Sequence, residues 1–340
     1  MSEHVTGLSD ISQVGGSAAY ATRPLSSLLV SIAAIGAVLA LVPLWLGDSR
    51  VMMGVAVLGL AFICYAIGFN IIFGSTGQLF LCVGALAGIG GYGAAILADN
   101  VGLPILVSIL VASFAATVTG GVLSYVAVRR SLDVIFTGIV TLIFSMSFDT
   151  LLLGLGELTG GDNGRLIEAG RDTFLREQIP PYYLMLALVL IFLLIHGLLQ
   201  RSHIGWAFRA LRDNEVAAEL SGIDVARYRV YGALIGSAML GLAGAVYAMT
   251  EGRMSPTTFG FGEVDVVVLV MLAFGSIGHL FGPVIGAVTF TFVDEILIEF
   301  GQLRTIAYGA LVIILFLRMK DGVIPILSSL WGNMKQKAQR

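Results

Sequence analysis

The sequence predicts an all-α polytopic membrane protein, and three observations support this fold class. Of the 340 residues, 57% are apolar and only 12% are charged, whereas a soluble domain averages about 25% charged residues. The mean hydropathy is +0.93. Uncharged apolar stretches recur along the chain, many of them near the roughly 20 residues that a helix needs to cross a bilayer. This composition excludes an ordinary cytosolic enzyme.

We expect about ten transmembrane helices, some of them Gly-rich and broken. The predicted spans cover residues 25–46, 51–73, 79–97, 103–128, 134–155, 181–199, 230–249, 264–274, 284–300 and 305–317. They make up a membrane domain over residues 25–317, flanked by a cytoplasmic N-terminal tail (1–24) and a C-terminal end and cytoplasmic tail (318–340). Only one basic residue, Arg23, precedes the first span, so we expect that span to be retained rather than cleaved as a signal peptide.

The distribution of basic residues predicts the orientation. Ten spans place both termini on one side, and with the termini inside, thirteen Lys and Arg residues fall in inner segments and six in outer ones. The positive-inside rule therefore predicts cytoplasmic termini. Two connections are long under this topology, an outer loop at residues 156–180 and an inner loop at residues 200–229. Long loops between packed helices are usually functional.

Motifs for catalysis are missing from the sequence. A P-loop needs a lysine between Gly and Ser or Thr, and none of the three lysines, Lys320, Lys335 and Lys337, has such neighbours. The sequence also lacks the HExxH and GxSxG patterns, and Cys64 and Cys82 lie in apolar runs without a metal-binding spacing. We therefore expect no ATPase site, no metal and no cofactor. The net charge of −3 disfavours nucleic acid as a partner.

The inner loop predicts a short, capped helix. Asp213 or Asn214 can cap its start, Glu215 adds an acid to the first turn, and Gly222 can end it in a left-handed conformation. Such a helix has about two turns and is too short to be stable alone in water. It must therefore dock against something. The residues that we expect to contact a partner are Arg209, Arg212, Asp213, Glu215, Ala217, Ala218, Glu219 and Gly222.

The sequence also contains an internal repeat. Residues 73–80 and 274–281 share the pattern FGSxGxLF, and transporters are often built from repeated halves whose Gly-interrupted helices meet at the substrate path. Under the ten-span topology the two repeats have like orientation, and one span more or fewer between them would make them inverted. Glycine backbone N–H groups there could meet a substrate carboxylate. The candidate path residues are Asn70, Gly74, Gly77, Gln78, Gly84, Gly275, Gly278, Asp294 and Glu295.

Other polar groups in the predicted spans are assigned simpler roles. Because a charge at the centre of a span costs roughly 2.5–3.5 kcal/mol on insertion scales, each should face protein or water. We expect Asp149 and Glu299 to be solvated helix ends and His196 to be a packing residue. If Asp149, Asp294 or Glu295 relayed protons, the chain would instead be an autonomous proton-coupled secondary transporter.

Five segments together carry a resemblance to a known family. They are GSTGQLFLCVGALAGIGGYGAAIL (74–97), LTGGDNGR (158–165), GWAFRALRDNEVAAELSGIDVARYRV (205–230), GLAGAVYA (241–248) and FGSIGHLFGPVIGA (274–287). In this order, they resemble the branched-chain amino-acid ABC transporter permease family, in particular its LivM-type subunit. The stretch around residues 209–223 resembles the loop through which such permeases couple to their ATPases. The likeness covers about residues 50–320.

This resemblance implies a function and a set of partners. The chain would be a permease subunit of a bacterial inner-membrane importer for branched-chain or related small amino acids. It would assemble with a second, LivH-like permease, two ATPase subunits and an extracytoplasmic solute-binding protein. We expect the binding protein to dock on the outer loop, at Thr159, Gly160, Gly161, Asp162, Asn163 and Arg165.

One segment departs from the family pattern. Relatives usually read close to GQLSLGHAAF, whereas residues 77–85 here read GQLFLCVGA. Polar Ser and His positions of that pattern are therefore apolar in this chain. Urea or a short amide, which related permeases carry, remains an alternative substrate.

Overall fold

The structure, a computed structural model, describes residues 25–47, 49–170 and 173–298. Within this part of the chain, seven helices are long and apolar enough to cross a membrane, and two shorter apolar helices lie at Val83–Asp99 and Gly282–Asp294. The predicted all-α polytopic fold is confirmed. The tenth predicted span, residues 305–317, and both predicted tails lie outside the described residues, so the count of ten stays a prediction.

Thirteen α-helices are present in the described part of the chain. They are α1 (Leu25–Ala40), α2 (Val42–Leu46), α3 (Arg50–Phe69), α4 (Val83–Asp99), α5 (Ile105–Arg129), α6 (Val134–Gly154), α7 (Gly156–Thr159), α8 (Pro180–Arg201), α9 (His203–Asp213), α10 (Glu215–Leu220), α11 (Val225–Glu251), α12 (Val266–Gly275) and α13 (Gly282–Ile298). Two π-helical turns, Asn70–Ser75 and Phe261–Asp265, extend α3 and precede α12. Short 3₁₀ turns cover Gly161–Asn163, Phe174–Arg176 and Pro256–Phe259.

Helices α3, α4, α5 and α11 form the centre of the bundle, and glycines set how closely they approach. A Cβ atom at Gly90 of α4 would overlap the carbonyl oxygen of Gly241 on α11, and one at Gly244 would overlap that of Ala87. Lipid is as apolar as the helices themselves, so small residues that allow close packing drive association in a membrane. The glycine-rich sequence of α4 is thereby explained as a packing surface.

Large apolar side chains are exposed on α1 and α6 and on the outward face of α5. Val30 on α1, Phe114 on α5 and Ile135 on α6 are all more than 60% exposed. In water such a surface would be a large aggregation-prone patch. It is suited to a lipid environment or to a neighbouring subunit.

The bundle has two distinct ends. At the first, β1 (Arg165–Leu166) and β2 (Arg253–Met254) pair antiparallel, and Arg165 forms a salt bridge of 3.2 Å with Asp99 at the end of α4. We call this the ribbon end. The second end carries α9 and α10, and we call it the α9–α10 end. The predicted outer loop lies at the ribbon end and the predicted inner loop at the other.

Several predicted boundaries differ from the structure. The third span was placed at residues 79–97, but α4 begins only at Val83, because residues 77–82 are not helical. The first span is two helices, with Pro43 near the start of α2. The inner loop contains α9 as well as the predicted short helix. Its signal was present: Ser202 caps α9 by accepting a hydrogen bond from Gly205 N at 3.3 Å, and Ala207, Phe208 and Leu211 form a buried stripe.

Candidate functional site

The two copies of the repeated motif contact each other directly. The Asn70 side chain donates from Nδ2 to the His279 carbonyl at 2.9 Å and accepts at Oδ1 from Gly278 N at 2.7 Å. Asn70 is fully buried, so these two bonds satisfy an amide that would otherwise be costly in an apolar interior. We call this contact, formed by residues 70–79 and 274–281, the repeat junction.

Glycines occupy equivalent positions in the two copies and share one conformation. Gly77 has φ +73° and Gly278 has φ +77°, a region that L-residues with a side chain rarely adopt. Their surroundings differ: a Cβ at Gly77 would meet no atom within 4 Å, whereas one at Gly278 would overlap the Arg212 guanidinium and lie 3.0 Å from Gly74 O. Gly74 needs to be small as well, because Asn70 and Gly278 lie directly against it.

The remaining predicted path residues around the junction are held by local contacts. Gln78 is buried, and its Oε1 accepts a hydrogen bond from Ser124 Oγ at 3.0 Å. A Cβ at Gly275 would overlap the Gly282 carbonyl oxygen, so this glycine allows α12 and α13 to form a tight hairpin.

The His279 imidazole, in the second copy of the motif, has a lowered pKa. Burial is the main cause, and the nearby Arg212 cation lowers the pKa further, whereas a hydrogen bond with the Ile277 backbone raises it.

The N-terminus of α4 is capped by Asp265, a carboxylate that no local sequence motif marks. Asp265 accepts at Oδ1 from Val83 N and from Gly84 N at 3.3 Å, and it is buried. The carboxyl group thereby accepts from two of the backbone N–H groups that a helix N-terminus leaves without an intrahelical partner. The Gly84 N–H, one of the glycine N–H groups expected to be able to meet a substrate carboxylate, donates to Asp265 in this structure.

A polar stripe on α6 supports the same non-helical segments. Thr137, Thr141, Ser145 and Asp149 follow one another at intervals of four residues, which places them on one helix face. Thr141 Oγ1 accepts from Leu81 N at 2.9 Å, Ser145 Oγ donates to Asp265 Oδ2 at 3.0 Å, and Asp149 Oδ2 accepts from Phe261 N at 3.2 Å. Thr141 and Asp149 thus supply partners to backbone N–H groups that lie outside the α-helices, which is the condition for such backbone inside a membrane.

The other polar residues in the spans have varied surroundings. Asp149 was expected to be a solvated helix end, but it is half-buried and bonded to the backbone of Phe261. His196 is buried in α8, with its Nε2 atom 3.1 Å from Gln200 Nε2, in agreement with a packing role. Asp294 is half-buried in α13 and Glu295 follows it on that helix. Glu299 lies outside the described residues.

The predicted short helix is present as α10. Asn214 Oδ1 accepts from Ala217 N at 3.0 Å, so Asn214 rather than Asp213 is the cap. At the other end Gly222 has φ +84°, and Ile223 N donates to Ala218 O at 3.1 Å. This six-to-one hydrogen bond around a left-handed glycine defines a Schellman ending.

Helix α10 presents most of its surface outward. Val216 is 64% and Leu220 85% exposed, and Ala217 and Glu219 are exposed beside them. Ala218 is buried against the bundle, and Glu215 forms a salt bridge of 2.8 Å with Arg229 of α11. One face of α10 is thus fixed to the bundle, and the other offers two large apolar side chains to a partner.

Helix α9 connects α10 to the repeat junction. Arg212 donates from Nη2 to the Ile277 carbonyl at 3.2 Å. In the middle of α9, Arg209 stacks over the Trp206 ring at 4.9 Å and donates to the Gln200 carbonyl at 2.8 Å. Of the predicted contact residues, Arg209 and Arg212 therefore make bonds within the chain. Asp213 is exposed at the end of α9.

A cavity of about 550 Å³ lies between α10 and the first copy of the motif. Its lining includes Gly77 and Gln78 on one side and Glu215, Glu219 and Arg229 on the other. The structure thus brings predicted path residues and predicted coupling residues to a single cavity. These two groups of residues are more than 130 positions apart in the sequence, so their proximity is visible only in the structure.

At the ribbon end, several of the predicted docking residues hold the loop itself together. Thr159 is buried and donates from Oγ1 to Leu155 O at 3.0 Å, while Gly160 and Gly161 adopt positive φ in the turn. Arg165 donates to the carbonyl of Leu158 at 2.6 Å in addition to its salt bridge. Asp162 and Asn163 are exposed.

Among the described residues, no group of three or more His, Cys, Asp or Glu side chains is arranged to hold a metal ion. Cys64 and Cys82 are both buried as free thiols. The polar groups described above are backbone turns, amides, hydroxyls, single carboxyl groups, the Arg212 guanidinium and the His279 imidazole.

The fold and the site define a class of protein. Seven apolar helices, interrupted helices that meet at a repeated motif, and a capped helix exposed at one end are typical of polytopic transport proteins. The chain belongs to the family described as "Branched-chain amino acid transport system / permease component", whose family model matches residues 51–319.

Individual proteins similar to this chain are also transport permeases. The high-affinity branched-chain amino acid transport system permease protein LivM of Escherichia coli (strain K12) is 28% identical over 304 residues, which cover 82% of this chain and 71% of the relative. A probable branched-chain amino acid transport permease protein LivH of Methanocaldococcus jannaschii is 22% identical over 251 residues, covering 71% and 78%. The ribose import permease protein RbsC of Haemophilus influenzae is 24% identical over 204 residues, covering 58% and 62%. No solved structure matches the chain.

Proposed function

We propose that this chain is the permease subunit of an ATP-binding-cassette importer that carries branched-chain amino acids through the cytoplasmic membrane of a bacterium. Family membership over residues 51–319 supports the transport role. The observation that carries the coupling role is α10, a short helix with an exposed apolar face. Such a helix is stabilised by docking, and a separate ATPase subunit is the partner that a permease of this family requires.

The proposed coupling route runs through α9. A movement of α10 is transferred to α9 across the short Asn214 connection, and Arg212 bonds α9 to the carbonyl of Ile277. The Asn70 amide then joins that segment to α3. Closure of the ATPase pair would in this way shift the two copies of the motif relative to each other. The substrate path would run beside them, past Gly74, Gly77, Gln78, Gly84, Gly275 and Gly278.

The proposed partners follow from the same family. A second, LivH-like permease would cover part of the exposed apolar surface of α1, α5 and α6, and two ATPase subunits would dock at the α9–α10 end, which we assign to the cytoplasm together with both termini. An extracytoplasmic binding protein would dock at the ribbon end, where Asp162 and Asn163 are exposed. Energy would come from the ATPases and not from this chain.

Uptake by the assembled importer tests this function. The full chain is reconstituted in proteoliposomes with a LivH-like permease, ATPase subunits and a solute-binding protein from the same organism, and uptake of L-leucine, L-isoleucine and L-valine is measured with and without ATP. We expect ATP-dependent uptake that excess urea or acetamide does not inhibit. Inhibition by urea would assign the alternative substrate, and equal uptake driven by a proton gradient without the ATPases would contradict the ABC assignment.

A pair of glycine substitutions tests the coupling role of α10. Gly222 and Gly102 both have positive φ, +84° and +73°, and a Cβ at either would meet no atom within 4 Å. Gly222→Ala and Gly102→Ala therefore carry the same backbone strain, one beside α10 and one at the ribbon end. We expect Gly222→Ala to lower leucine uptake per ATP hydrolysed at least fivefold, with Gly102→Ala unchanged. Equal ratios in both variants would remove the coupling role.

Asp162 tests docking at the ribbon end. Asp162→Arg reverses an exposed charge without breaking any of the contacts that hold Thr159 and Arg165. We expect the stimulation of ATP hydrolysis by the binding protein to fall severalfold, and the Tm of the purified complex to stay the same. Undiminished stimulation would place the docking surface elsewhere.

A further inference from the structure

A second cavity lies at the ribbon end, apart from the repeat junction. It has a volume of about 460 Å³ and is formed by the start of α3, the segment before α8 and the end of α11. Small-molecule sites in proteins usually have volumes of about 300–1,000 Å³. The cavity is therefore large enough for a compact solute.

Charges of both signs line this cavity. Arg50 and Arg176 contribute two cations, and Glu177 and Glu251 contribute two anions. Arg176 is held in place: it donates from Nη2 to the Ile167 carbonyl at 2.5 Å, its guanidinium lies against Gly252, and it interacts electrostatically with Glu251. The formal charge of these four groups sums to zero, which matches a neutral solute that carries both a cation and an anion.

The wall on α3 is apolar and has room for a side chain. Met53 and Val57 are 2% and 5% exposed and line the cavity together with Gly54. A Cβ at Gly54 would meet no atom within 4 Å, so the space beside this glycine is open. An aliphatic group placed there would be removed from water, which favours binding.

We propose that this cavity binds a small zwitterion with an aliphatic side chain, which is the chemistry of a branched-chain amino acid. The carboxylate lies near Arg50 and Arg176, the ammonium group lies near Glu177 and Glu251, and the side chain lies over Gly54. Charge-assisted hydrogen bonds between guanidinium and carboxylate are stronger than neutral ones. The substrate class rests on the proposed function, whereas the position of the site rests on the cavity alone.

Direct binding of L-leucine to the full-length chain in nanodiscs tests this site. Binding of tritiated L-leucine is measured in competition with two analogues, leucinol, which lacks the carboxylate, and 4-methylpentanoate, which lacks the ammonium group. We expect each analogue to compete at least tenfold more weakly than unlabelled L-leucine. Equal competition by either analogue would show that the site does not recognise a zwitterion.

Two variants locate the bound leucine. Gly54→Phe fills the open space on α3, and its control Gly154→Phe places the same side chain on α6, where a Cβ likewise meets no atom within 4 Å. We expect at least tenfold weaker leucine binding for Gly54→Phe, and wild-type binding for the control. Arg50→Gln, which removes a charge without adding bulk, should weaken binding severalfold, and it decides the question if Gly54→Phe does not fold.

Uptake by the assembled importer separates this inference from the proposed function. If wild-type uptake of leucine is ATP-dependent but binding to this chain is absent, or is the same in Gly54→Phe and Arg50→Gln as in the wild type, the cavity is not a leucine site and the function stands. If uptake is absent while binding depends on Gly54 and Arg50, the site stands and the transport assignment fails.

Discussion

Ser145 of α6 donates a hydrogen bond to Asp265 at 3.0 Å, and the same carboxylate accepts from Val83 N and Gly84 N at the start of α4. One buried side chain thus joins three parts of the bundle. These donors satisfy carboxyl oxygens that would otherwise be costly to bury in an apolar interior. Asp265 therefore fixes the residue at which α4 begins.

Removing this carboxylate should destabilise the protein in proportion to the donors left without partners. Asp265→Asn keeps an acceptor for the two N–H groups, whereas Asp265→Ala leaves them and Ser145 unpaired. At about 1–3 kcal/mol for each unsatisfied buried group, we expect the Tm of the full chain in detergent to fall in the order wild type, Asp265→Asn, Asp265→Ala. Asp133→Ala is the control, because Asp133 precedes α6 without making a capping bond. Equal Tm values for all variants would contradict the capping role.

The polar stripe on α6 gives a second prediction. Thr141→Val keeps the shape of the side chain but removes the oxygen that accepts from Leu81 N, so the non-helical segment before α4 loses a partner. We expect about 1–3 kcal/mol of destabilisation, seen as a lower Tm. Thr150→Val is the matched control on the same helix, since the exposed Thr150 hydroxyl bonds only the carbonyl of Met146. A similar change in both variants would mean that the contact with Leu81 contributes nothing.

These contacts show which parts of the molecule the sequence reveals. Helix α10 was predicted with its cap and its glycine ending, because those signals lie within a few residues of each other. The repeated motif is visible in the sequence because its two copies have identical residues at six of eight positions. Asp265 was missed, since the cap and Val83 are 182 positions apart and no local pattern marks the pair. The sequence does show a polar helix face on α6, from the four-residue spacing of Thr137, Thr141, Ser145 and Asp149. It does not show which residues this face contacts.

Both hydrogen bonds of the Asn70 amide, from Nδ2 and to Oδ1, should contribute to stability and to uptake. Asn70→Asp replaces the Nδ2 donor by a carboxylate oxygen that faces the His279 carbonyl, and two acceptors repel. We expect a lower Tm and loss of leucine uptake, with Asn70→Leu affected at least as strongly because Gly278 N then lacks its acceptor. The exposed Asn163 provides the control, Asn163→Asp, for which an unchanged Tm is expected. Wild-type uptake by Asn70→Asp would show that the junction does not depend on this amide.

The equivalent glycines of the repeat should respond differently to alanine. Both substitutions carry about 1–2 kcal/mol of strain from the left-handed conformation. Gly278→Ala must in addition push the Arg212 guanidinium away from the Ile277 carbonyl and crowd Gly74 O, whereas the space at Gly77 is open. We expect a modest loss of Tm for Gly77→Ala from strain alone, and both a larger loss of Tm and a clearly larger loss of uptake for Gly278→Ala. A larger loss of uptake for Gly77→Ala than for Gly278→Ala would contradict the view that the second copy of the motif is the more tightly constrained one.

His279 predicts a dependence of stability on pH. Its pKa in the folded protein is lowered, chiefly by burial, below the value near 6.5 of an unfolded histidine. Below about pH 6.5 the unfolded chain therefore binds a proton that the folded chain resists, so the contribution of this residue to stability is present at pH 7 and above and falls as the pH drops further. His279→Gln, which introduces the residue of the first copy, removes that titration. We expect the Tm of the wild type to fall more steeply than that of His279→Gln between pH 7 and pH 5.5, and parallel curves would show that the imidazole does not titrate differently in the two states.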